Sequence, residues 1–406
     1  MVPAASARAL RRYAFGVHRI TVAERRARLA VRHHVAPRTR VSTVLQAARD
    51  VVCLHATDPA TVYVSARARM VDGTVGAVDR ALYEDRELVR MLAMRRTMFV
   101  IPVDEAVTIH AAASLAVARN ERRRTEQLVA SLGVPDVTRW IRRAEKDALA
   151  ALEARGEATA REVADDVPAL RERTLINVGK AYQAHLGMAG RILLQLAAEG
   201  RIVRGRPRGS WISSQYRWVT IERWLGRPFE PIPVDEARAA LVRRWLERFG
   251  PGTEADIRWW TGWTARAARQ ALADIAAASV DLDGVEGYVV DGDLDPTPEP
   301  DRWVALLPSL DPTTIGWKGR DWYLGEHRPV LFDSNGNAGP TIWVDGRIVG
   351  GWAVRPAGEV ATKLLEDIGR EAERAVEAEA AALTGWYRSV QSVPRFPSPL
   401  YRELVG

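Results

Sequence analysis

The sequence predicts a mainly α protein with added β structure (α+β): three tandem winged-helix units, a C-terminal antiparallel β subdomain and a long C-terminal helix. Three observations predict it. One order of elements recurs three times: helix, short helix, longer helix, then a two-stranded hairpin, which is a helix-turn-helix with an appended wing. The pentapeptide PVDEA occurs at 102–106 and again at 233–237, each time after a strand or its exit, as a tandem array would place it. Towards the C-terminus the helical period gives way to alternating β-favouring residues with Asn-Gly and Asp-Gly pairs, the marks of tight hairpins. At 406 residues the chain exceeds what one core usually organises. The expected boundaries are 1–130, 131–230, 231–292 and 293–406.

In the first unit, VSTVLQAARDVVCLHA and PATVYVSARARM read as helices and TVGAVDRALYED as the third. ELVRMLAMRRTMFVIP (87–102) reads as two strands around Met94, Arg95 and Arg96. The second unit is clearest. Apolar Trp140, Ile141, Ala144, Ala148 and Leu152 recur at helical spacing up to Gly156. Thr159 followed by Glu162 is a capping-box pattern for a short helix. The helix Met188 to Ala198 stops at Gly200, and two wing strands flank GRPRGS. That wing carries Arg204, Arg206 and Arg208 with no acid among them, which suits phosphate contact and equally suits a plain exposed loop.

In the third unit, the helix after PVDEA stops at Gly250 before Pro251. Thr253 and Thr264 cap the next two helices, and VDLDGVEGYVV (280–290) is the hairpin. Trp259, Trp260 and Trp263 at near-helical spacing read as core. In the last region, RWVALLPSLDP, DWYL and TIWVDGRIVGGW alternate as strands, with Asp345-Gly346 as a hairpin turn. Residues 358–386 read as one acidic amphipathic helix lying over that sheet.

Charge narrows the function classes. The formal net charge is +7, and residues 1–50 hold eleven arginines, Arg8, Arg11 and Arg12 among them, against Glu24 and Asp50. A polyanion partner fits, yet only four lysines stand beside 54 arginines, a bias that base composition of the coding sequence would also produce. No apolar run of about 18 residues exists to span a bilayer, and no secretory segment is evident, so the expectation is a cytoplasmic protein without a membrane partner. The single cysteine, Cys53, excludes an intramolecular disulfide, and no Cys/His spacing suggests a metal. His33-His34 reads as a surface pair. Gly179-Lys180 lacks the rest of a phosphate loop.

LHATDP (54–59) concentrates polar chemistry. Asp58-Pro59 has the form of a helix start, with a carboxylate N-cap and proline at the first position. Alternatively, a neutral imidazole can activate water, a nearby hydroxyl can orient it and a carboxylate can support a cationic sugar. These are the needs of base excision from deoxyribose, and no cofactor is implied.

The tandem winged helices, HATDP and the late stretch LLPSLDPTTIGWKGRDWYLG…LFDSNGNAGPTIWVDGRIVGGW together resemble the AlkZ/YcaQ-type DNA glycosylases over nearly the whole chain. The resemblance implies excision of bulky alkylated bases or unhooking of interstrand crosslinks in double-stranded DNA. In that family a Gln-aliphatic-Gln or Gln-aliphatic-Asp element precedes Asp-Pro. Here His55 and Thr57 stand at the two functional positions, with Asp58-Pro59 following. The implied roles are His55 as water-activating base, Thr57 as water-positioning group and Asp58 as support for the cationic transition state. Arg95, Arg96, Arg204, Arg206, Arg208, Lys318 and Arg320 are the expected DNA-backbone contacts, on a chain acting as a monomer. The rival expectation is a DNA-binding regulatory protein that keeps the scaffold without the chemistry.

Overall fold

The computed structural model describes residues 18–176, 179, 183–388 and 390–406. Arg8, Arg11, Arg12 and Lys180 lie outside the described residues. The fold mixes helix with small sheets, each antiparallel.

The chain opens with helix Val22–Arg32, capped by Thr21, whose hydroxyl accepts from the Glu24 N–H. A shorter helix, Val44–Arg49, follows. Then comes the two-residue strand β1 (Leu54–His55), and helix Pro59–Arg69 starts at the Asp58 cap. Helix Val75–Asp79 widens into a π turn at Arg80–Glu84. β2 (Leu88–Leu92) and β3 (Met98–Pro102) close a three-stranded sheet of order β1-β3-β2. In its register Leu54 faces Val100, His55 faces Phe99, and Arg90 faces Val100 from the other side.

A helical run from Val103 to Ala130, broken by a π turn at His110–Ser114, leads to the second region. There helix Val137–Arg155 starts at Asp136 and stops at Gly156, whose φ of +79° is left-handed. Thr159 and Glu162 form the expected capping box of helix Ala160–Asp166. β4 (Arg173–Ile176) pairs with β5 (Ala184–Gly187), helix Met188–Ala198 follows, and β6 (Ile202–Pro207) pairs with β7 (Tyr216–Thr220).

Next come helices Val234–Phe249, Glu254–Thr261 and Ala265–Asp274, then the hairpin of β8 (Ala278–Leu282) and β9 (Val285–Val289). A four-stranded meander ends the chain's β structure: β10 (Val304–Leu307), β11 (Thr341–Val344), β12 (Arg347–Val354) and β13 (Val360–Leu364). Helices Arg370–Tyr387 and Pro399–Val405 finish it. Both PVDEA copies start a helix directly after their proline, with two acids in the first turn, where the positive end of the helix dipole favours them.

Burial explains the arrangement. One core runs from Val62 and Phe99 through Leu241, Trp245 and Phe249 to Leu307 and Trp343, joining the first, third and last regions. The second region keeps its own core around Ile141, Leu152, Leu193 and Leu196. A third packs Trp352 and Val349 of the sheet against Val376, Leu383 and Tyr387 of the long helix. Each such apolar side chain is worth about 1.5–3 kcal/mol when taken fully from water.

Four expectations are corrected. The helix read through LHA ends at Arg49, and Leu54–His55 is a strand, because its backbone pairs with β3. The helix read over 358–386 starts at Arg370. Val360–Leu364 instead extends the sheet as an edge strand on β12. DWYL is a single helical turn, Asp321–Leu324. His33 is fully buried between Phe249 and Trp317, bonding Thr313 Oγ1 at 2.9 Å and the Arg248 carbonyl at 3.1 Å, while His34 meets Asp50 at 2.6 Å. The partners of His33 are remote in sequence, whereas His34 also meets the Thr39 carbonyl, five residues on, at 2.6 Å.

Candidate functional site

The polypeptide around LHATDP is held on both sides. The Ala56 N–H donates to the Met98 carbonyl at 2.9 Å, continuing the β1–β3 ladder one residue past His55. Asp58 then turns the chain into a helix. One of its oxygens accepts from the Ala60 N–H and the other from the Arg395 N–H, both at 3.2 Å. Burial nevertheless pushes the Asp58 carboxyl above the ordinary range, since two neutral donors offset only part of its lost hydration.

His55 is buried edge-on against Phe99, ring centres 5.4 Å apart, and its Nδ1 has no hydrogen-bond partner among the described residues. Burial first, and the Arg95 guanidinium second, lower its pKa to about 3, with the Asp311 carboxylate opposing. The ring is therefore neutral at pH 7 and, in the free protein, a weak base.

His55 lines a cavity of about 400 Å³ built from three regions of the chain. Arg95 and Thr97 come from the turn into β3, Trp259 from helix Glu254–Thr261, and Leu310, Ile315, Lys318, Arg320, Arg328 and Asn335–Asn337 from the C-terminal block. No acidic residue is among them. Arg95 leaves the turn with a left-handed backbone, φ 52°, and lays its guanidinium 4.1 Å from the Trp259 ring centre. Gly262, itself at φ +78°, leaves room for that stem: a Cβ there would stand 3.1 Å from Arg95 Cγ. Arg320 sits 4.8 Å from the same ring and donates Nε and Nη2 to the Trp317 carbonyl. Removal from water, then Arg320, lower Arg95 to about 10, so it stays charged at neutral pH.

The KGR loop is placed by an acid that points away from the cavity. Asp256 Oδ1 accepts from the Lys318 and Gly319 N–H groups at 2.8 and 2.9 Å, while its Oδ2 completes the capping box with Thr253. Among the described residues, Arg95, Lys318, Arg320 and Arg328 make no ion pair within 4.0 Å, and Arg320 is balanced in part at longer range by Asp256 and Asp321. Four cationic side chains thus line the cavity that His55 shares, and Arg95 is the one whose charge acts on the ring.

The structure gathers His55, Arg95, Lys318 and Arg320 in this cavity and leaves the other expected residues outside it. Thr57 is half-buried just beyond the lining. Asp58 faces a separate crevice of about 20 Å³ beside Tyr387 and Tyr401. Arg96 is held by Glu121 at 2.7 Å, and Arg206 by Asp79 and Glu84 at 3.0 and 3.4 Å. Arg204 lies against the Tyr216 and Trp218 rings, and Arg208 is exposed on the wing. Sequence reasoning missed Thr97, Arg328, Asn335 and Asn337, and it read the half-buried Trp259 as core. The one local signal was the Asn335-Gly336 pair, which marks a tight turn.

Small antiparallel sheets on a helical scaffold, with a cation-lined cavity between regions, are what a polyanion-binding protein would offer, and the family match places the chain in the DNA glycosylase class. The chain belongs to a particular family there, described as DNA glycosylase AlkZ-like, whose model matches residues 48–386. Among solved structures it is similar to the Streptomyces sahachiroi DNA glycosylase AlkZ, with a TM-score of 0.67 and 21% identity, covering 90% of this chain and 97% of that one. At that identity the likeness is one of fold. Comparison with curated proteins gives no match. Membership of the family implies DNA binding. No helix among the described residues is long and apolar enough to cross a membrane.

Proposed function

We propose that the protein is a monofunctional DNA glycosylase, acting as a cytoplasmic monomer that hydrolyses the N-glycosidic bond of alkylated or crosslinked purines in duplex DNA. The observation that carries this reading is the neutral His55 in a cavity of unpaired cations. A DNA strand supplies negative charge: its phosphates meet Arg95, Lys318, Arg320 and Arg328, and its entry offsets the Arg95 field, the second cause after burial of the low basicity of His55. The bond from C1′ to the base nitrogen breaks, the base leaves with the bonding pair, and water adds its oxygen to C1′. His55 takes the water's proton and Thr57 orients the water. Asp58 supports the cationic sugar only through its charge, since both its oxygens are occupied by backbone donors. Arg96, Arg204, Arg206 and Arg208 extend the phosphate track along three winged-helix units, with 1–130, 131–230 and 231–292 as their extents and 293–406 as the β subdomain. Arg96 and Arg206 exchange carboxylates for phosphates as they do so.

The test uses duplexes carrying N7-alkylguanine, N3-alkyladenine or a nitrogen-mustard crosslink, with abasic sites as the readout. Wild type produces them and His55→Ala does not. Excision that persists in His55→Ala removes His55 as the base. Binding without excision on every lesion favours the second reading, a non-catalytic DNA-binding protein, to which the low basicity of free His55 lends support.

A further inference from the structure

We infer that Thr97 is a second water-holding hydroxyl of this site, on the face of the sheet that presents His55. The inference rests on the glycosylase reading and adds a residue to it. The ladder pairs Leu54 with Val100 and His55 with Phe99, and the Ala56 N–H bonds the Met98 carbonyl. One further step of that register would set Thr57 across from Thr97, where the chain bends towards Asp58. Opposed residues of an antiparallel pair project to one face, and residues two apart along a strand share it. His55, Phe99 and the extended Thr97 therefore stand on the same face.

Of the two hydroxyls, only that of Thr97 belongs to a residue lining the cavity with His55. Its one internal hydrogen bond, to the Arg95 carbonyl at 3.5 Å, is at the limit of significance, so the hydroxyl is available. The backbone there is extended, φ −104° and ψ 147°, directly after the left-handed Arg95 and Arg96. A diagonal pair such as His55 and Thr97 lies roughly 7–8 Å apart at the backbone, a span that two inward-leaning side chains close with one bridging water. The imidazole accepts one proton of that water and the threonine hydroxyl engages the oxygen or the second proton. As the oxygen bonds to C1′ and the base departs with its electron pair, the bridging proton passes to His55.

The test is single-turnover base release from whichever of the three lesion duplexes the wild type processes, with DNA affinity measured in parallel. Thr97→Val keeps the β-branched shape and loses the hydroxyl. It is expected to slow release roughly tenfold, the worth of one hydrogen bond, with affinity within about twofold of wild type. Thr97→Ser restores most of the rate. A Thr97→Val protein as fast as wild type, beside an inactive His55→Ala, overturns the role of Thr97 and leaves the glycosylase reading standing. Equal losses of rate and affinity also overturn it, as does Thr97→Ser remaining as slow as the valine variant. A wild type that releases no base from any lesion overturns both.

Discussion

At the scale of the residue, His55 sets the pH behaviour. Its folded-state pKa of about 3 means that the free protein keeps the ring unprotonated at every pH used to assay DNA repair. A base is lost only as pH falls through its folded value, so kcat/KM, which reports the free enzyme, should be level between about pH 5 and 7 as far as His55 is concerned. Removing the second cause of the shift, in Arg95→Met, should move an acidic limb upward towards the ordinary histidine value of about 6.5. An acidic limb near pH 6 in wild type that shifts in Arg95→Met would contradict the buried, cation-flanked ring. LHATDP was legible as a place of concentrated chemistry, and Asp58-Pro59 as a helix start, because capping is local. The burial of His55 was not legible, because its wall is built by Phe99, Trp259 and the loop from Leu310 to Arg320.

At the scale of the element, Asp256 shows how one side chain serves two structures. Thr253 was readable as the cap of helix Glu254–Thr261, since a threonine before Glu-Ala-Asp is a sequence-local pattern. The second use was not, because Lys318 and Gly319 are more than sixty residues away. Asp256→Ala removes both. The lost capping box should cost about 1 kcal/mol, and the two N–H groups of the KGR loop lose their acceptor for about 1 kcal/mol more. Urea unfolding should therefore show a loss of about 2 kcal/mol, accompanied by weaker DNA binding, because Lys318 no longer has a fixed place on the cavity rim. A variant with normal stability and normal affinity would mean that this acid does not position the loop. The same separation of local from distant causes explains residues 358–386. The helical half was legible from its period. Val360–Leu364 was not read as a strand because what makes it one is the exposed edge of β12.

At the scale of the molecule, the single core joining the first, third and last regions makes their junctions sensitive to charge. His33 is wedged between helix Val22–Arg32 and the aromatic pair Phe249 and Trp317. His55 faces the shared cavity, and His110 packs against Phe229 and beneath Gly200 at the border with the second region. Burial lowers the pKa of all three. Between the unfolded value near 6.5 and the folded values below it, the unfolded chain binds protons that the folded one refuses, so stability falls as pH drops through that window and is level above it. Each refused proton contributes a slope of about 1.4 kcal/mol per pH unit once its unfolded form is fully protonated. The window to read is pH 6.5 to about 5, before Asp50, Glu121 and Asp333, whose carboxyls are held below their ordinary values, begin to take protons in the unfolded state, and with Asp58 and Glu145, whose raised carboxyls take protons first in the folded state, acting in the opposite direction at its lower end. Urea unfolding at pH 7, 6, 5 and 4.5 should show a progressive loss, and His110→Phe should make it shallower. A wild-type curve that stays level to pH 4.5 would show that the three imidazoles are not buried in neutral form, and with it would go the account of a core that closes the cavity around an uncharged His55.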